Sequence, residues 1–412
     1  MSQLRPARGT HDLLGEEIIR HRHVAGTGRE IARRYGYGEI STPIFEFTEV
    51  FQRTLGETSD IVTKEMYTFE DRGGERLTLR PEYTAGIARA FISGSLGQQL
   101  PIRLFASGPM FRYERPQKGR LRQFHQIDVE ILGAAEPQAD VEVIALGARI
   151  LAELGLGEQV VLELNSLGDP ASRRAYRDHL VGYLGRYRDD LSDESMDRLE
   201  RNPLRILDSK DPRDREILLG APSLADSLNE GSRAFFAEVR AGLDAVGIPY
   251  RINPALVRGL DYYTHTAFEF TTTQLGAQGA VLAGGRYDGL VATMGGPDTP
   301  GIGWAAGVER LAMLLAETPA APRPIAVIPI GDDMNLPALQ LAEELRAAGH
   351  VVEFGFRGKV GQRLKRATQQ NARYAVLFGG DEMKAGKVVL RDLDRGEQRL
   401  VERAGLAALL SG

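Results

Sequence analysis

With 412 residues, the chain is longer than one ordinary hydrophobic core supports, so we expect two or three domains. Its 42% hydrophobic and 26% charged residues are typical of a soluble globular protein, and no apolar run approaches the roughly 18 residues that a membrane-spanning helix needs. The chain contains no cysteine, which excludes disulfides, thiolate chemistry and cysteine-based zinc sites, and its net charge of −5 argues against a nonspecific polyanion binder.

The first predicted element is a long helix over Glu16–Tyr35, followed by a glycine turn and an extended segment that contains Pro43. Gly26 and Gly28 each weaken this helix by about 1 kcal/mol relative to alanine, and Pro43 marks an edge strand or a bulge. Later segments rich in Thr, Tyr, Phe and Val do not alternate regularly with helices, which predicts a largely antiparallel sheet flanked by helices. These predicted strands are Met66–Phe69, Leu77–Arg80, Gln126–Leu132 and Phe268–Thr273.

Glu82 and Thr84 stand directly after a predicted strand. A carboxylate and a hydroxyl two residues apart can together accept hydrogen bonds from an α-ammonium group. The same pair can instead cap a helix that begins at Thr84. Both interpretations remain open at the level of the sequence.

Residues 108–130 are typical of a strand, a basic loop and a second strand. Arg112 ends the first strand, where a rigid sheet can hold its guanidinium against a phosphate. Arg120 returns from the other side of the loop, and Phe124 offers a flat apolar face on which an adenine could stack. An exposed, solvated basic hairpin is the alternative interpretation.

Residues 169–246 are polar, charged and helix-prone, which predicts a helical insertion between two halves of one domain, residues 1–168 and 247–317. The proline-rich residues 318–324 predict a linker. After it, residues 325–412 predict a small α/β domain with a mostly parallel sheet. Its predicted elements are strands at Ile325–Ile330, Val351–Phe356 and Tyr374–Gly379, and a basic helix at Val360–Asn371.

Two short segments, LVRGLDYYT at residues 256–264 and AGGRYDG at residues 283–289, each place an arginine, a carboxylate and tyrosine beside glycine. Glycine lets a ligand approach the backbone closely, and tyrosine hydroxyls and carboxylates offer directional hydrogen bonds to a small polar molecule. For either segment alone, a structural turn with a satisfied Arg–Asp pair is the alternative. Residues 301–311 then form a glycine-rich strand that enters a helix, with Arg310 in the first turn.

Together these segments resemble the bacterial histidyl-tRNA synthetases over essentially the full length of the chain. Residues 108–130 are similar to motif 2 of class II aminoacyl-tRNA synthetases, residues 301–311 to motif 3 and, more weakly, the Pro43 segment to motif 1. The resemblance implies an α+β catalytic domain with an antiparallel sheet and a helical insertion, followed by a small α/β anticodon-binding domain. It also implies that L-histidine is activated with ATP to histidyl-adenylate and transferred to the 3′ end of tRNA(His).

The resemblance implies a set of histidine-binding residues. A carboxylate that accepts one imidazole N–H, and a phenol that meets the other ring nitrogen, would penalise side chains without that pattern. One departure is Tyr83, where many relatives have glycine, so this side chain either narrows the pocket or points away. The implied residues are Glu82, Thr84 and Gln126 for the α-amino group, Glu130 and Tyr263 for the imidazole, and Tyr262, Gly284, Gly285 and Tyr287 along the pocket.

The same resemblance implies that Arg112 and Arg258 are catalytic, because they would hold the α-phosphate and the carboxylate as charge develops. Arg258 would take the place of a metal near the α-phosphate. Mg²⁺ would accompany ATP, and neither a prosthetic group nor a protein-bound metal is expected. The implied ATP-binding residues are Arg112, Arg120, Phe124, Arg258 and Arg310, and the implied tRNA contacts are Gln117, Lys118, Arg363, Lys365 and Arg366.

A homodimer with motif 1 at its interface and a cytoplasmic location are further implications of the resemblance. The alternative function is that of a catalytically inactive synthetase paralogue that regulates an ATP phosphoribosyltransferase. Such paralogues lack the anticodon-binding domain and have degraded motifs, whereas this chain has the C-terminal domain and intact motifs. A metal-dependent hydrolase built on His21, His23 and His125 is rejected, because these histidines are not spaced with carboxylates in a typical zinc pattern.

Overall fold

The computed structural model describes residues 4–55, 61–201, 203–256, 262–276 and 279–411. They divide into two units, residues 1–319 and residues 320–412. The larger unit contains an eight-stranded sheet within its described residues, in the order β1-β5-β6-β11-β10-β9-β7-β8. Its strands are β1 (Gly38–Glu39), β5 (Ile102–Phe111), β6 (Gln123–Leu132), β7 (Val161–Ser166), β8 (Arg251–Ile252), β9 (Thr264–Thr271), β10 (Ala280–Arg286) and β11 (Gly301–Gly307).

The predicted antiparallel character of this sheet is confirmed. Only the outer strands β1 and β8 pair in parallel with their neighbours, and the pairings from β5 through to β7 are antiparallel. A second, three-stranded sheet has the order β2-β4-β3. It consists of β2 (Phe45–Phe47), β3 (Tyr67–Glu70) and β4 (Arg76–Leu79).

Helices cover one face of the large sheet. The predicted first helix forms α1 (Glu16–Arg34) in spite of its glycines, and Gly28 has a packing reason, since a Cβ there would lie 2.9 Å from the Ile127 side chain. None of the helices in the described ranges is both long and apolar enough to cross a membrane. The other helices of this unit are α2 (Thr48–Leu55), α3 (Thr84–Ser93), α4 (Pro137–Glu153), α5 (Pro170–Leu184), α6 (Asp193–Arg201), α7 (Pro212–Leu218), α8 (Leu224–Ser227), α9 (Glu230–Ala245), α10 (Leu290–Thr293) and α11 (Val308–Leu314).

Side chains on β6 divide between two environments because successive residues of a strand point to opposite faces. Ile127, Val129 and Ile131 are at most 1% exposed and pack into the hydrophobic core beneath α1 and α4. The intervening residues 126, 128 and 130 are polar and buried. One face of this strand therefore contributes to the hydrophobic core, and the other presents buried polar side chains.

The region predicted as a helical insertion, residues 169–246, contains α5 to α9 and no strand among its described residues. Most of it packs around its own apolar cluster, which includes Tyr176, Leu180 and Leu184. Its last helix, α9, differs, because Val239 and Leu243 are buried in the core of the large sheet. The helical character predicted from composition is thus observed, and α9 also packs against the large sheet.

The smaller unit contains a five-stranded sheet in the order β13-β12-β14-β15-β16. The prediction of a mostly parallel sheet is wrong, because β15 and β16 form an antiparallel hairpin beside the parallel strands β12, β13 and β14. Helices pack on both faces. The elements are β12 (Ile325–Pro329), α12 (Asn335–Ala347), β13 (Val352–Phe354), α13 (Val360–Gln369), β14 (Tyr374–Phe378), α14 (Gly380–Lys384), β15 (Lys387–Asp392), β16 (Gln398–Glu402) and α15 (Leu406–Leu410).

A buried ion pair fixes the end of β10 in the large sheet. The side chains of Arg286 and Asp140 are both fully buried and hydrogen-bonded to each other, and Arg286 also donates to Asp288 at 3.0 Å. Burial raises the pKa of Asp140, an effect that the charge of Arg286 opposes. For Arg286, the interpretation of segment 283–289 as a structural turn with a satisfied Arg–Asp pair is therefore correct.

We expect Asp140→Ala to destabilise the larger unit by about 3–5 kcal/mol, because it leaves the Arg286 charge buried without its main partner. Trp304, the single tryptophan, is buried in β11, so its fluorescence can follow urea unfolding of this sheet. Glu39→Ala is the matched control, since it removes the exposed Arg29–Glu39 pair and should cost less than about 1 kcal/mol. Equal effects of the two variants would contradict the assignment.

Candidate active site

A cleft of about 250 Å³ lies over the polar face of β6, between the ends of the central strands. Strands β6, β9, β10 and β11 form its floor, and residues that precede α3 and follow β5 form its rim. The sheet thus gathers side chains from widely separated parts of the sequence. The lining includes these predicted site residues: Glu82, Thr84, Arg112, Arg120, Phe124, Gln126, Tyr262, Tyr263, Tyr287 and Arg310.

Glu130, a predicted site residue, is not itself part of the cleft lining: it lies just behind the closed end of the cleft, in contact with the lining residues Thr84 and Tyr287. It is 1% exposed, accepts a hydrogen bond from the Thr84 hydroxyl at 2.6 Å and accepts another from the Tyr287 hydroxyl. Gly303 makes room for it, because a Cβ at that position would overlap the Glu130 carboxylate. Burial raises the pKa of Glu130 to about 8, and the charge of Glu82 raises it further. Glu130 therefore carries a proton near neutral pH when the cleft holds no cation.

Glu82 connects the cleft to the start of α3. Its carboxylate accepts the backbone N–H of Ala85 at 2.9 Å, so the capping interpretation is correct for this residue. Glu82 also lines the cleft, and burial raises its pKa against the opposing effect of these hydrogen bonds. The helix start thus fixes a carboxyl group that still faces the ligand space.

Three tyrosines form one wall of the cleft. The Tyr262 ring lies 4.6 Å from the Tyr263 ring and 5.8 Å from the Tyr287 ring, measured between centroids. Burial raises the pKa of Tyr262 and of Tyr287 well above the usual value, so both phenols remain protonated. Such a wall offers an aromatic surface and fixed hydroxyl groups to a small, flat, polar ring.

The open end of the cleft is basic. Arg112 directly follows β5, as predicted, and its Nε donates to the Pro81 carbonyl at 2.9 Å. Its guanidinium carbon lies 5.3 Å from the centroid of the Phe124 ring. A guanidinium and an aromatic face are therefore adjacent, which suits a phosphate attached to a flat base.

Arg120 and Arg310 meet at this basic end. Burial lowers the pKa of Arg310, and the positive charge of Arg120 lowers it further. The carboxylates of Glu114 and Glu269 act in the opposite direction, and Glu114 forms an ion pair with Arg120 at 3.2 Å. A polyanion bound here would relieve the repulsion between the two guanidiniums.

Several predicted site residues lie outside the lining of the cleft. Gly284 and Gly285 pack against neighbouring strands, where a Cβ would meet the Gly303 or the Thr266 carbonyl oxygen. Gln117 and Lys118 lie at the exposed tip of the loop between β5 and β6. Arg258 lies outside the described residues, so its role stays a prediction. In the smaller unit, Lys365 and Arg366 are exposed on α13, whereas Arg363 is half-buried and donates to the Pro329 carbonyl.

Tyr83 does not narrow the cleft. Its side chain is fully buried in an apolar cluster between α3 and β5, and the Arg80 guanidinium carbon lies 4.3 Å from its ring centroid. Of the two possibilities that the sequence left open, the side chain points away from the ligand space. The neighbouring Glu82 keeps its place in the lining.

Four acidic residues of the cleft lining, Glu114, Asp128, Glu269 and Glu309, were not identified as site residues from the sequence. Asp128 could have been predicted, because it lies two residues from both Gln126 and Glu130 and alternate residues of a strand share one face. Glu269 had none, because its place depends on the pairing of β9 with β10.

Of the three histidines in the rejected hydrolase interpretation, His21, His23 and His125, the structure brings His21 and His125 together with Glu309. The ligand atoms of His21, His125 and Glu309 lie within 4.8 Å of one another, and Glu309 also belongs to the cleft lining. Glu309 accepts both the backbone N–H of His125 and a hydrogen bond with its Nδ1 at 2.9 Å. Burial lowers the pKa of His21. Hydrogen bonds that join α11 to β6 explain this cluster.

Comparisons with known proteins agree with this geometry. A family model described as histidyl-tRNA synthetase matches residues 9–168 and 198–311, and one described as an anticodon binding domain matches residues 324–412. The chain is 64% identical to the histidine–tRNA ligase of Rhodospirillum rubrum, over 99% of this chain and 98% of the relative. It is 57% identical to that of Gluconacetobacter diazotrophicus, over 100% and 99% of the two chains. The apo structure of Staphylococcus aureus histidyl-tRNA synthetase superimposes with a TM-score of 0.84 at 34% identity and covers 100% of both chains.

The pKa of Glu130 predicts a specific pH dependence of stability. The folded protein keeps a proton on Glu130 up to about pH 8, whereas the unfolded chain releases it near the ordinary value of 4.5. This contribution to stability is therefore complete below about pH 4.5 and is lost as the pH rises through 8, and it amounts to at most about 5 kcal/mol. We expect the melting temperature of the wild type to fall relative to that of Glu130→Gln between these pH values.

The matched control is Glu70→Gln, which changes an exposed glutamate on β3. Its melting curve against pH should run parallel to that of the wild type. A constant offset between wild type and Glu130→Gln over the same range would contradict the prediction.

Proposed function

This chain belongs to the histidyl-tRNA synthetase family, and from that membership we infer that it is a histidine–tRNA ligase. It uses ATP and L-histidine to form histidyl-adenylate and then transfers the histidyl group to tRNA(His). The observation that carries this function is the 64% identity over nearly the whole chain, joined to a cleft that is acidic at one end and basic at the other. The reaction needs both ends, because histidine brings an ammonium group and ATP brings phosphates.

We propose that the imidazole of histidine binds at the closed end, between Glu130 and Tyr263, with Tyr262 and Tyr287 beside it. The hydroxyl and carboxyl groups there match the two nitrogens of the ring. The α-amino group would lie near Glu82, Thr84 and Gln126. Thr84 donates its own proton to Glu130, so its hydroxyl oxygen is left to accept. Gly284 and Gly285 would shape the pocket by keeping β10 close to its neighbours.

At the basic end, we propose that Arg112 contacts the α-phosphate and that Phe124 stacks on adenine. When the carboxylate of histidine attacks the α-phosphorus, negative charge accumulates on the phosphate oxygens, and an arginine already in place stabilises it without reorganisation. Arg258 is proposed for the same role, on the resemblance alone. The two arginines would be the catalytic residues.

Arg120 and Arg310 would hold the distal phosphates, since their mutual repulsion is relieved by an anion. ATP would enter with Mg²⁺, which prefers carboxylate and phosphate oxygens. The carboxylates of Glu114 and Glu269 lie in the same lining and suit that ion. Pyrophosphate would leave through this open end.

For tRNA, we propose two contact regions. The loop tip with Gln117 and Lys118 adjoins Arg120 of the cleft and would meet the acceptor end. Lys365 and Arg366 on α13 offer exposed cations for the anticodon arm, and Arg363 supports the helix from a half-buried position. Phosphate contacts of this kind position an RNA without reading its sequence. A tRNA substrate also supports the proposal of a cytoplasmic location.

The alternative of an inactive regulatory paralogue is not supported. The relatives at 64% and 57% identity are histidine–tRNA ligases over their full length, and the anticodon-binding domain is present. The cleft lining also retains Arg112 and Arg310, and Glu130 lies directly behind it, hydrogen-bonded to Thr84.

ATP–pyrophosphate exchange tests the activation step. We expect exchange with L-histidine and not with the other standard amino acids, and a loss of about 100-fold or more in Arg112→Ala, because charge at the α-phosphate loses its partner. Arg115→Ala is the matched control, since Arg115 is exposed in the same loop and does not line the cleft. Absence of histidine-dependent exchange from folded wild type would overturn the function.

A homodimer is proposed from an exposed apolar face on the small sheet. Phe45, Phe47 and Phe69 are 52%, 51% and 44% exposed and share one face, because Phe47 and Phe69 both pair with Leu77. The opposite face is occupied, with Thr78 buried against Thr48. Contiguous exposed aromatic residues of this kind mark protein contacts, and this sheet adjoins the motif 1 segment.

We expect Phe47→Asp to shift the protein from dimer to monomer in sedimentation velocity experiments, because a carboxylate in an apolar interface is costly. Phe356→Asp serves as the control, since Phe356 is 80% exposed in the smaller unit and should leave the mass unchanged. A wild-type monomer, or a dimer that is unaffected by Phe47→Asp, would contradict the proposed interface.

A further inference from the structure

Asp128 is a buried carboxyl group that lines the cleft on the polar face of β6. It is 1% exposed and lies between Gln126 and Glu130 along the strand. Neither of its side-chain oxygens has a hydrogen-bond partner within the described part of the chain. Buried polar groups are normally hydrogen-bonded, and buried charges are normally paired. An unpaired carboxyl group that faces a ligand cleft therefore indicates a partner that the ligand supplies.

The arginines around Asp128 are committed to other acceptors. Arg80 donates to the Pro109 carbonyl at 2.9 Å and to the Thr42 carbonyl at 2.8 Å. Arg112 donates its Nε to the Pro81 carbonyl. Their positive charges lower the pKa of Asp128, but burial, followed by the negative charges of its neighbouring carboxylates, raises it well above the ordinary value. The missing partner is thus a cation.

The position of Asp128 along β6 identifies which part of the substrate it meets. Alternate residues of a strand are about 6.6–6.8 Å apart, so residues 124 to 130 span the cleft in even steps. Phe124 and Arg112 mark the end proposed for ATP, and Glu130 marks the end proposed for the imidazole. The carboxylate of histidine must point to the former and its ring to the latter. The substituents on its α-carbon then lie level with Gln126 and Asp128.

We propose that Asp128, together with the side-chain oxygen of Gln126, binds the α-ammonium group of L-histidine. This inference rests on the proposed function. The Gln126 oxygen is also buried without a hydrogen-bond partner in the described ranges. An ammonium group has three N–H donors, and Glu82 offers a third acceptor in the same lining. Of the two carboxylates, Glu82 already accepts the N–H of Ala85, so Asp128 is the one whose hydrogen bonds depend on the ligand.

If Asp128 binds the ammonium group, histidine binding lowers the pKa of its carboxyl group. In the unliganded cleft, burial raises the pKa of the Asp128 carboxyl group well above its ordinary value, and the neighbouring Glu130 and Glu82 raise it further. An ammonium group at hydrogen-bond distance favours the carboxylate instead. Histidine binding should therefore release protons, and the number released should fall when Asp128 is replaced by a residue that cannot ionise.

The experiment is calorimetric titration of the full-length protein with two ligands, L-histidine and 3-(imidazol-4-yl)propanoate, which lacks the amino group. For Asp128→Asn we expect the affinity for L-histidine to fall by about tenfold or more, with less than about a twofold change for the propanoate. Titrations in two buffers of different ionisation enthalpy should show less proton release for the variant. Its melting temperature without ligand should equal or exceed that of the wild type, because an unpaired buried carboxyl group has been removed.

Asp214→Asn is the matched control. Asp214 is equally buried, but it accepts hydrogen bonds from Ser192 and Ser195 away from the cleft. Its replacement should lower the melting temperature and leave both affinities unchanged. Asp128→Ala replaces Asp128→Asn if the latter does not fold.

The outcomes separate the inference from the function on which it rests. If the wild type fails to bind L-histidine, the proposed function is overturned, and the role of Asp128 with it. If the wild type binds L-histidine and Asp128→Asn binds it equally well, only the role of Asp128 is overturned. Equal losses for histidine and the propanoate would assign Asp128 to the ring or to the fold, and would also overturn the inference.

Discussion

The alternation of side chains along β6 is the constraint on which the rest of the catalytic unit depends. Ile127, Val129 and Ile131 anchor the strand in the core, so the residues between them are held rigidly on the opposite face. A shift of one residue in the register of β6 would bury its polar residues in the core and expose its apolar residues in the cleft. The apolar face therefore positions the polar one, and the site needs no flexible loop to form its floor.

The closed end of the cleft depends in turn on a second, buried interaction. Arg286 ends β10, and its ion pair with Asp140 ties that strand to α4 on the other side of the sheet. The next residue, Tyr287, donates to Glu130. Since adjacent residues of an extended chain point in opposite directions, fixing the arginine below the sheet fixes the tyrosine above it. An arginine that looks like a substrate ligand in the sequence thus acts on the substrate pocket only through its neighbour.

The sequence predicts the parts of the site that are carried by local patterns. Arg112 and Phe124 are predicted together because both belong to one hairpin, and Arg310 because it follows a glycine-rich strand. Partners that are distant in the chain could not be predicted, as with Asp140 for Arg286, which depends on how β10 meets α4. The prediction of a mostly parallel sheet in the smaller unit was wrong for a related reason. Its β15–β16 hairpin consists of strands with one exposed face, whose mixed polar and apolar residues give a weaker signal than the continuous apolar runs of β12 and β14.

Under the proposed function, the distribution of charge within the cleft would orient the two substrates. Carboxyl groups lie at the end near Glu130, and the guanidiniums of Arg120 and Arg310 lie at the other end, beside the carboxylates of Glu114 and Glu269. An amino acid that entered in reverse would place its carboxylate among carboxyl groups and its ring among cations, and both contacts are unfavourable in a site of low polarity. ATP is directed to the basic end by the same charges. Under the proposed function, the carboxylate of histidine and the α-phosphate of ATP would then meet at Arg112, between the two regions, and the repulsion between like charges in the empty cleft would favour substrates that carry the opposite charges.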